Sequence, residues 1–355
     1  MMNIGLVGCG EYARAEYLPT ILAQSRLRLV AIYSRTTGSV SAFHDKLPLE
    51  LRGSVKLYSE DSDDSLLRSY QNLLGDGSIA GVVIALPIPV QAQFVSLALN
   101  AGKHVLSEKP IAQSVAEAKS LLREFEISRQ IHAGQVWQVA ENWALLPAVV
   151  YAARQVKDLG RILGFRTRQS LMMAADSPSL SSGWRASPDF RGGLMIDGAV
   201  HGIAVLRLLL GSQQPVERLC AFSNSLQSHL PFPDTLDAIV AIKGGVTGVM
   251  QVSYGTTFPG PIFEIACDHG VVVVDGFKSV TVTSPGGQEV DRWTGGGLSQ
   301  SVAAVFDAWT NAITASIGEP RLAPDGALVD ICLVEAMLDS AERKGSPWEP
   351  RDIFI

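Results

Sequence analysis

The sequence predicts an α/β protein in two parts: an N-terminal doubly wound parallel sheet, then a C-terminal α+β domain with a large open, mostly antiparallel sheet. Three observations carry this. At 355 residues the chain is too long for one typical core. Over the first 136 residues, short apolar runs alternate with helical patterns, as in parallel strands joined by helices. After Asp158-Leu159-Gly160, apolar runs follow one another across Gly or short polar turns, as antiparallel pairing requires. The expected domains are therefore 1–136 and 137–355.

The first strand, 4–7, runs into Gly8-Cys9-Gly10-Glu11-Tyr12-Ala13 and then a helical pattern. This is the turn of a dinucleotide-binding Rossmann fold. Gly8 allows the tight turn, Gly10 lets backbone approach a pyrophosphate, and Ala13 is small enough for helix and strand to pack. Glu11 and Tyr12 sit at the helix start, where N–H groups face phosphates. Pro19 kinks or breaks the helix continuing over 17–24. A second strand, 27–33, ends in Ser34-Arg35-Thr36-Thr37 where an NAD site places a carboxylate. A guanidinium and hydroxyls suit a 2′-phosphate, so NADP(H) is expected over NAD(H). A third strand, 55–58, precedes Asp61-Ser62-Asp63-Asp64, an acidic helix start before Leu66, Leu67, Tyr70, Leu73 and Leu74.

The strand at 79–86 ends in Leu86-Pro87-Ile88-Pro89, a loop expected to line the cofactor beyond the carboxyl end of the sheet. A helix over 93–100 leads to Gly102-Lys103-His104-Val105-Leu106-Ser107-Glu108-Lys109-Pro110. Lys109 thus stands at a strand's carboxyl end, as a surface charge or an active-site cation, with Pro110 fixing the turn, a candidate cis bond. A helix over 115–125 and a strand near 131–136 close this half.

In the second half, 138–154 reads as helical and carries Trp143; strands are expected at 161–173, 216–222, 236–242, 246–253, 262–267, 271–275 and 280–283. Helices are expected over 193–210, 303–315 and 327–343. Val249, Val252, Ile265 and 271–274 are more apolar than a solvated sheet face needs, which suggests a homo-oligomer, dimer or tetramer, through this sheet.

Hydrophobic residues are 47% and charged residues 18%, with a net charge of -6, which argues against a nucleic-acid surface. Pro or charge interrupts the apolar runs before membrane-spanning length, as Pro87 and Pro89 do in 79–90. Cys9, Cys220, Cys267 and Cys332 have no paired spacing and read as reduced thiols. The first strand leaves no room for a signal peptide, so a cytoplasmic protein is expected.

Ser182-Gly183-Trp184-Arg185-Ala186 leads into Gly192-Gly193-Leu194-Met195-Ile196-Asp197-Gly198-Ala199-Val200-His201. Asp197 and His201, four apart, share one helix face. Three readings stand: a metal pair, for which no further ligands are evident, so no metal is expected; a structural polar pair; or a catalytic pair, with His201 moving a proton and Asp197 orienting it or a substrate hydroxyl.

Taken together, Gly8-x-Gly10-x-x-Ala13, the run from Ala101 to Pro110, Trp184-Arg185 and Gly192-Gly193-x-x-x-Asp197-Gly198-x-x-His201 resemble the Gfo/Idh/MocA oxidoreductases over nearly the whole chain. The resemblance implies a substrate site in a cleft between the two domains. It implies Lys109, Asp197 and His201 as the catalytic group: Lys109 on the reacting oxygen, His201 moving the proton, Asp197 binding substrate or tuning His201. Glu108, Trp184 and Arg185 join the cofactor contacts it implies. The sequence departs from the pattern at Gln91, where similar proteins often have His, and at Ala144, where they tend to have Arg. Trp137, Trp143, Met172, Met173 and Trp184 are candidates to hold an apolar or ring-shaped substrate. The expected activity is NADP(H)-dependent hydride transfer, NAD remaining an alternative, with a secondary alcohol or carbonyl of a sugar, polyol or cyclic diol. The alternatives are a hydrophobic ketone, enone or imine as substrate, and a non-catalytic dinucleotide sensor.

Overall fold

The computed structural model describes residues 1–62, 68–181, 183–211 and 215–350. The first half contains β1 (Met2–Val7), α1 (Leu18–Ala23), β2 (Leu27–Ser34), α2 (Thr37–His44), α3 (Leu49–Arg52), β3 (Lys56–Ser59), α4 (Arg68–Gly75), β4 (Gly81–Ile84), α5 (Ile88–Asn100), β5 (His104–Ser107), α6 (Val115–Ile131) and β6 (Trp137–Val139). The second contains α7 (Pro147–Asp158), β7 (Ile162–Ser170), α8 (Gly183–Ala186), α9 (Gly193–Leu210), β8 (Val216–Asn224), β9 (Thr235–Ile242), β10 (Thr247–Ser253), β11 (Ile262–Cys267), β12 (Gly270–Asp275), β13 (Ser279–Thr283), β14 (Glu289–Thr294), α10 (Leu298–Ala315) and α11 (Pro324–Glu342).

The chain forms two compact units. The first comprises 1–112, 116–140 and 302–325. Its six parallel strands lie in the order β3-β2-β1-β4-β5-β6. That order reverses direction at β1, the topological switch point where such sheets bind ligands. β4 is buried throughout, as a parallel strand covered on both faces should be. Part of that cover comes from α10, so residues 302–325 belong with the first unit although they lie far beyond residue 136. Trp309 on α10 is fully buried. A Cβ added at Gly81 would come within 3.2 Å of it, which explains a glycine at the start of this apolar strand.

Pro19 acts as expected. Lacking an N–H, it cannot bond the carbonyl four residues back. The chain widens into a π-helical turn over Ala13–Tyr17, in which the Leu18 N–H reaches Ala13. Thr20 Oγ1 donates to the Glu16 carbonyl at 2.7 Å.

Some boundaries differ from expectation. The helix expected to end at 125 continues to Ile131, and the strand expected at 131–136 lies at Trp137–Val139. The helix expected over 138–154 is a strand end, a 3-10 turn (Asn142–Leu145) and α7, which begins at Pro147. Pro opens a helix readily but interrupts one already running. Of the acidic stretch, Asp63 and Asp64, with Leu66 and Leu67, lie outside the described residues. It is Glu60 that accepts the Ser69 and Tyr70 N–H groups, at 3.2 and 2.9 Å.

The second unit comprises 113–115, 141–301 and 326–355. Its eight strands run β14-β13-β12-β11-β7-β10-β9-β8, antiparallel except where β7 and β10 pair in parallel. β14 escaped the sequence reading because its residues are nearly all exposed and carry no apolar alternation. α7 packs over β12 and β13, and α9 over β7. α9 is apolar almost all round and, by length and composition, long enough to cross a membrane. Here it is the buried core helix of the unit, with 13 buried residues. On the sheet's other face Leu163, Phe222, Ile239 and Val249 are exposed.

Candidate active site

In the first unit the glycine turn closes β1. The Gly8 N–H donates to the Tyr33 carbonyl at 2.8 Å, tying the turn to the end of β2. Gly8 has φ +108°, and a Cβ there would collide with the Ala85 carbonyl oxygen. Gly10 is different: it is exposed, and nothing lies within 4 Å of where its Cβ would be. That open space is the cradle a pyrophosphate needs, so the residues present fit a dinucleotide. Glu11 and Tyr12 are exposed beside it and Ala13 is buried under the helix. Cys9 is buried, and burial pushes its thiol up to about 12, which makes it a packing residue rather than a nucleophile.

At the end of β2, Ser34 is half-buried and Arg35 exposed. Thr36 caps α2 by accepting the Ser39 N–H at 3.2 Å. The next free donor of that helix is already taken: the Thr37 N–H bonds both Asp61 oxygens at 2.8 Å. The bonds from Thr37, side chain first, hold the Asp61 carboxyl below its ordinary range. A carboxylate therefore stands close to the strand end from which the sequence reading excluded one.

Leu86 and Pro87 stand after β4, half-buried and exposed. Gln91 does not face that loop. It is 1% exposed, and its Nε2 donates to the Glu108 and Pro110 carbonyls at 2.7 and 2.9 Å. Its work is to hold the turn that presents Lys109, and this replaces the expectation of a cofactor contact. The Lys109-Pro110 bond is cis. Glu108 takes the Tyr17 hydroxyl and, through Oε2, the Lys109 N–H at 3.1 Å. Lys109 itself is half-buried just beyond β5. Trp137, expected at a substrate, is 2% exposed, with its indole N–H on Ser107 Oγ at 3.0 Å and Phe125 edge-on at 5.4 Å. Its environment is the core of the first unit.

In the second unit Gly192, left-handed at φ 83°, opens α9. Asp197, Gly198 and His201 are the half-buried positions in a first half of the helix that is otherwise buried, so one face is open. The two candidate side chains have different partners. Asp197 Oδ2 accepts from Arg185 Nε at 2.8 Å, and the Arg185 guanidinium lies 4.0 Å from the Trp184 ring centre. Arg185, expected on the cofactor, is thus committed to Asp197, and Trp184 lies beneath that guanidinium. Ser182 lies outside the described residues. Tyr254 is buried under Gly198; desolvation by burial, and then the nearby Asp197 charge, push its phenol far above the usual range.

His201 has a carboxylate partner of its own. Its Nδ1 lies 2.7 Å from Glu141 Oε1, a carboxylate the sequence reading passed over. Trp143 stacks on the imidazole, centroids 4.6 Å apart and planes 14° from parallel, and meets Phe277 in a T-shaped contact at 4.4 Å. Glu141 follows an apolar strand directly, and Trp143 two residues later was singled out; a carboxylate in such a place is the signal that could have revealed it. Met172 is 41% exposed after β7, while Met173 is buried with its carbonyl 2.9 Å from His229 Nε2. Among the described residues no three His, Cys, Asp or Glu side chains form a metal site.

A family profile described as "Oxidoreductase family, NAD-binding Rossmann fold" matches residues 2–132, and one described as "GFO/IDH/MocA C-terminal domain" matches residues 150–273. A dehydrogenase of Fusarium mangiferae is 33% identical over 98% of this chain and 98% of its own. The levoglucosan dehydrogenase of Pseudarthrobacter phenanthrenivorans is 30% identical over 69% of this chain and 60% of its own. Among solved structures, an oxidoreductase of Thermotoga maritima superposes with a TM-score of 0.84 at 25% identity, covering 99% of each chain. A levoglucosan dehydrogenase in complex with NADH and levoglucosan, at 20% identity and TM-score 0.82 over 99% of this chain and 100% of that one, shares the fold. Both halves are matched, and the chain belongs to the GFO/IDH/MocA family of nicotinamide-dinucleotide oxidoreductases.

Proposed function

We propose that this oxidoreductase interconverts a secondary alcohol and a carbonyl on a sugar, polyol or cyclic diol, with NADP(H) as preferred cofactor. The observation that carries the reading is the His201–Glu141 pair, a proton acceptor at Nε2 backed by a buried carboxylate on the open face of α9. Relatives named levoglucosan dehydrogenase and D-xylose 1-dehydrogenase (NADP(+)), the latter from Haloferax volcanii at 28% identity over 72% of this chain, support a carbohydrate substrate.

Gly8, Gly10 and the start of the first helix would hold the pyrophosphate, and Ser34, Arg35 and Thr36 the adenosine ribose with its 2′-phosphate. The bound dinucleotide supplies the hydride acceptor or donor. Lys109 donates a hydrogen bond to the reacting oxygen and favours the negative charge that develops there. His201 Nε2 takes the hydroxyl proton in oxidation and returns it in reduction. Asp197, held by Arg185, accepts from a neighbouring substrate hydroxyl. Trp143, half-buried beside His201 and backed by the buried Phe277, offers an apolar flank to a ring-shaped substrate.

The same flank, with Ala144 buried where an Arg was expected, supports a second reading: a hydrophobic ketone, enone or imine. The family assignment sets aside the non-catalytic sensor. We also propose a homo-oligomer through the exposed sheet face, where Ile239 pairs with Val249 and with Cys220 across three neighbouring strands. The deciding experiment is a panel of sugars, polyols and hydrophobic carbonyls, followed by nicotinamide absorbance with both cofactors. Turnover of cyclic polyols or aldoses with NADP+ is the expected result. Turnover confined to hydrophobic carbonyls supports the second reading, and equal Michaelis constants for the two cofactors overturn the NADP preference.

A further inference from the structure

The strongest unexplained feature of the second unit is a buried carboxylate with a catalytic candidate attached to it. Glu141 has only 5% of its side chain exposed. A carboxylate there costs several kcal/mol of desolvation unless paired. One of its partners is neutral: Oε1 accepts the Trp143 N–H at 3.1 Å. The other is His201 Nδ1 at 2.7 Å, on the same oxygen. A carboxylate only accepts, so Nδ1 must carry the proton, and Nε2 is left as the lone-pair nitrogen. Rotation of the imidazole is blocked on one face by the Trp143 ring stacked on it.

Two more charges belong to the cluster. Arg207, on α9, donates from Nε and a terminal nitrogen to the two oxygens of Asp330, both at 3.0 Å. Arg207 and Asp330 both feel the charge of Glu141, and Asp330 also feels that of His201. With His201 neutral, Glu141, Asp330 and Arg207 sum to one net negative charge in a poorly solvated place. A proton on His201 brings the four to zero. Asp197 also shares the open face of α9, one turn before His201, but Arg185 neutralises it.

We propose that Glu141 is a positioning residue for His201, fixing the Nδ1–H tautomer, aiming Nε2 at the substrate hydroxyl and stabilising the imidazolium formed on proton transfer. The step balances within these groups. The substrate O–H bond breaks, its electron pair stays on oxygen, and the proton forms a new bond to Nε2. Glu141 keeps its charge throughout and takes no proton. This rests on the proposed role of His201 as the proton carrier.

The test compares Glu141→Gln, Glu141→Asp and His201→Ala in turnover across pH, with the His201 tautomer read separately by nitrogen-15 NMR on the cofactor-free protein, using Glu141→Leu. Glu141→Gln is isosteric, removes the charge and keeps one oxygen able to accept from Nδ1–H. It should lower kcat roughly 100-fold while the dinucleotide KM holds. Without its counter-ion the imidazolium is less favoured, so the acid limb of kcat/KM should move down by about one pH unit or more. Glu141→Asp should restore part of kcat and return the limb toward the wild-type position. Wild type should show a protonated Nδ1, and Glu141→Leu a mixture of tautomers. An unshifted acid limb in Glu141→Gln with His201→Ala inactive, or an Nε2–H tautomer in wild type, overturns the positioning role and leaves His201 catalytic. Near-normal turnover in His201→Ala overturns the site reading itself.

Discussion

Single residues at the end of β1 and β2 decide what the first unit can hold. Gly8 has no room for a side chain, since its Cβ would strike backbone and its φ is positive. Gly8→Ala should cost roughly 3 kcal/mol or more in stability. Gly10→Ala should leave the melting temperature almost unchanged and weaken dinucleotide binding about tenfold or more, because its Cβ enters only the open cradle. Calorimetry of both variants, with a fluorescence titration of the cofactor, separates the two. Arg35 and Asp61 carry opposite charges near the end of β2, the proposed ribose site. Arg35→Ala should lower the NADP/NAD preference, and Asp61→Asn should raise it, by removing a carboxylate that would repel a 2′-phosphate. Ratios of kcat/KM for the two cofactors check the signs. Two features at this scale were legible: the glycine turn at Gly8 and Gly10, and the cis bond at Lys109-Pro110. Glu141 and Asp61 were not, because a partner 60 or 24 residues away leaves no spacing to read. Gln91 and Trp137 were misread for the same reason, since burial against distant backbone looks like any polar or aromatic residue in sequence.

At the scale of elements, α9 carries the proposed proton carrier and the second unit's core at once. The buried Asp330 on α11 braces it through Arg207. Burial, only partly offset by Arg207, pushes the Asp330 carboxyl up to about 6 from 3.8. A folded-state value above the unfolded one means the folded protein holds the proton more tightly. This group's contribution is therefore fully favourable below about 3.8 and is lost as pH rises through about 6. The stability advantage of wild type over Asp330→Asn should accordingly grow, by on the order of 2 kcal/mol, as pH falls from about 7 to about 4. Urea titrations at each pH measure it, and a difference that shrinks on acidification contradicts the account. α9 itself was legible to the residue, because Gly192 and Gly211 bound an unbroken apolar stretch. The segment 131–147 was not, since short apolar runs around Pro147 fit a helix or a strand equally well.

The molecule as a whole is two units through which the chain passes more than once. Alternation of strand and helix predicted the first sheet, and the run of short strands the second, because each pattern has its own period. The return of 302–325 to the first unit left no mark in sequence: α10 is one continuous amphipathic helix, and tertiary contacts such as Trp309 against Gly81 and Phe306 edge-on to Tyr17 reveal whose core its later part completes. The exposed Ile239 and Val249, 62% and 47% accessible, motivate the proposed assembly. Ile239→Asp should turn an oligomer into a monomer in analytical ultracentrifugation without lowering the melting temperature of the isolated chain by more than about 0.5 kcal/mol equivalent, as a surface substitution. A wild-type monomer would contradict it.

The central proposal gives Lys109 and His201 roles in one reaction. The most direct test is a double-mutant cycle on single-turnover rates, with cofactor affinity measured alongside. Lys109→Ala and His201→Ala should each slow the chemical step roughly 100-fold or more, leave the dinucleotide Kd within about twofold, and combine less than additively. Near-wild-type rates in both single variants would contradict it.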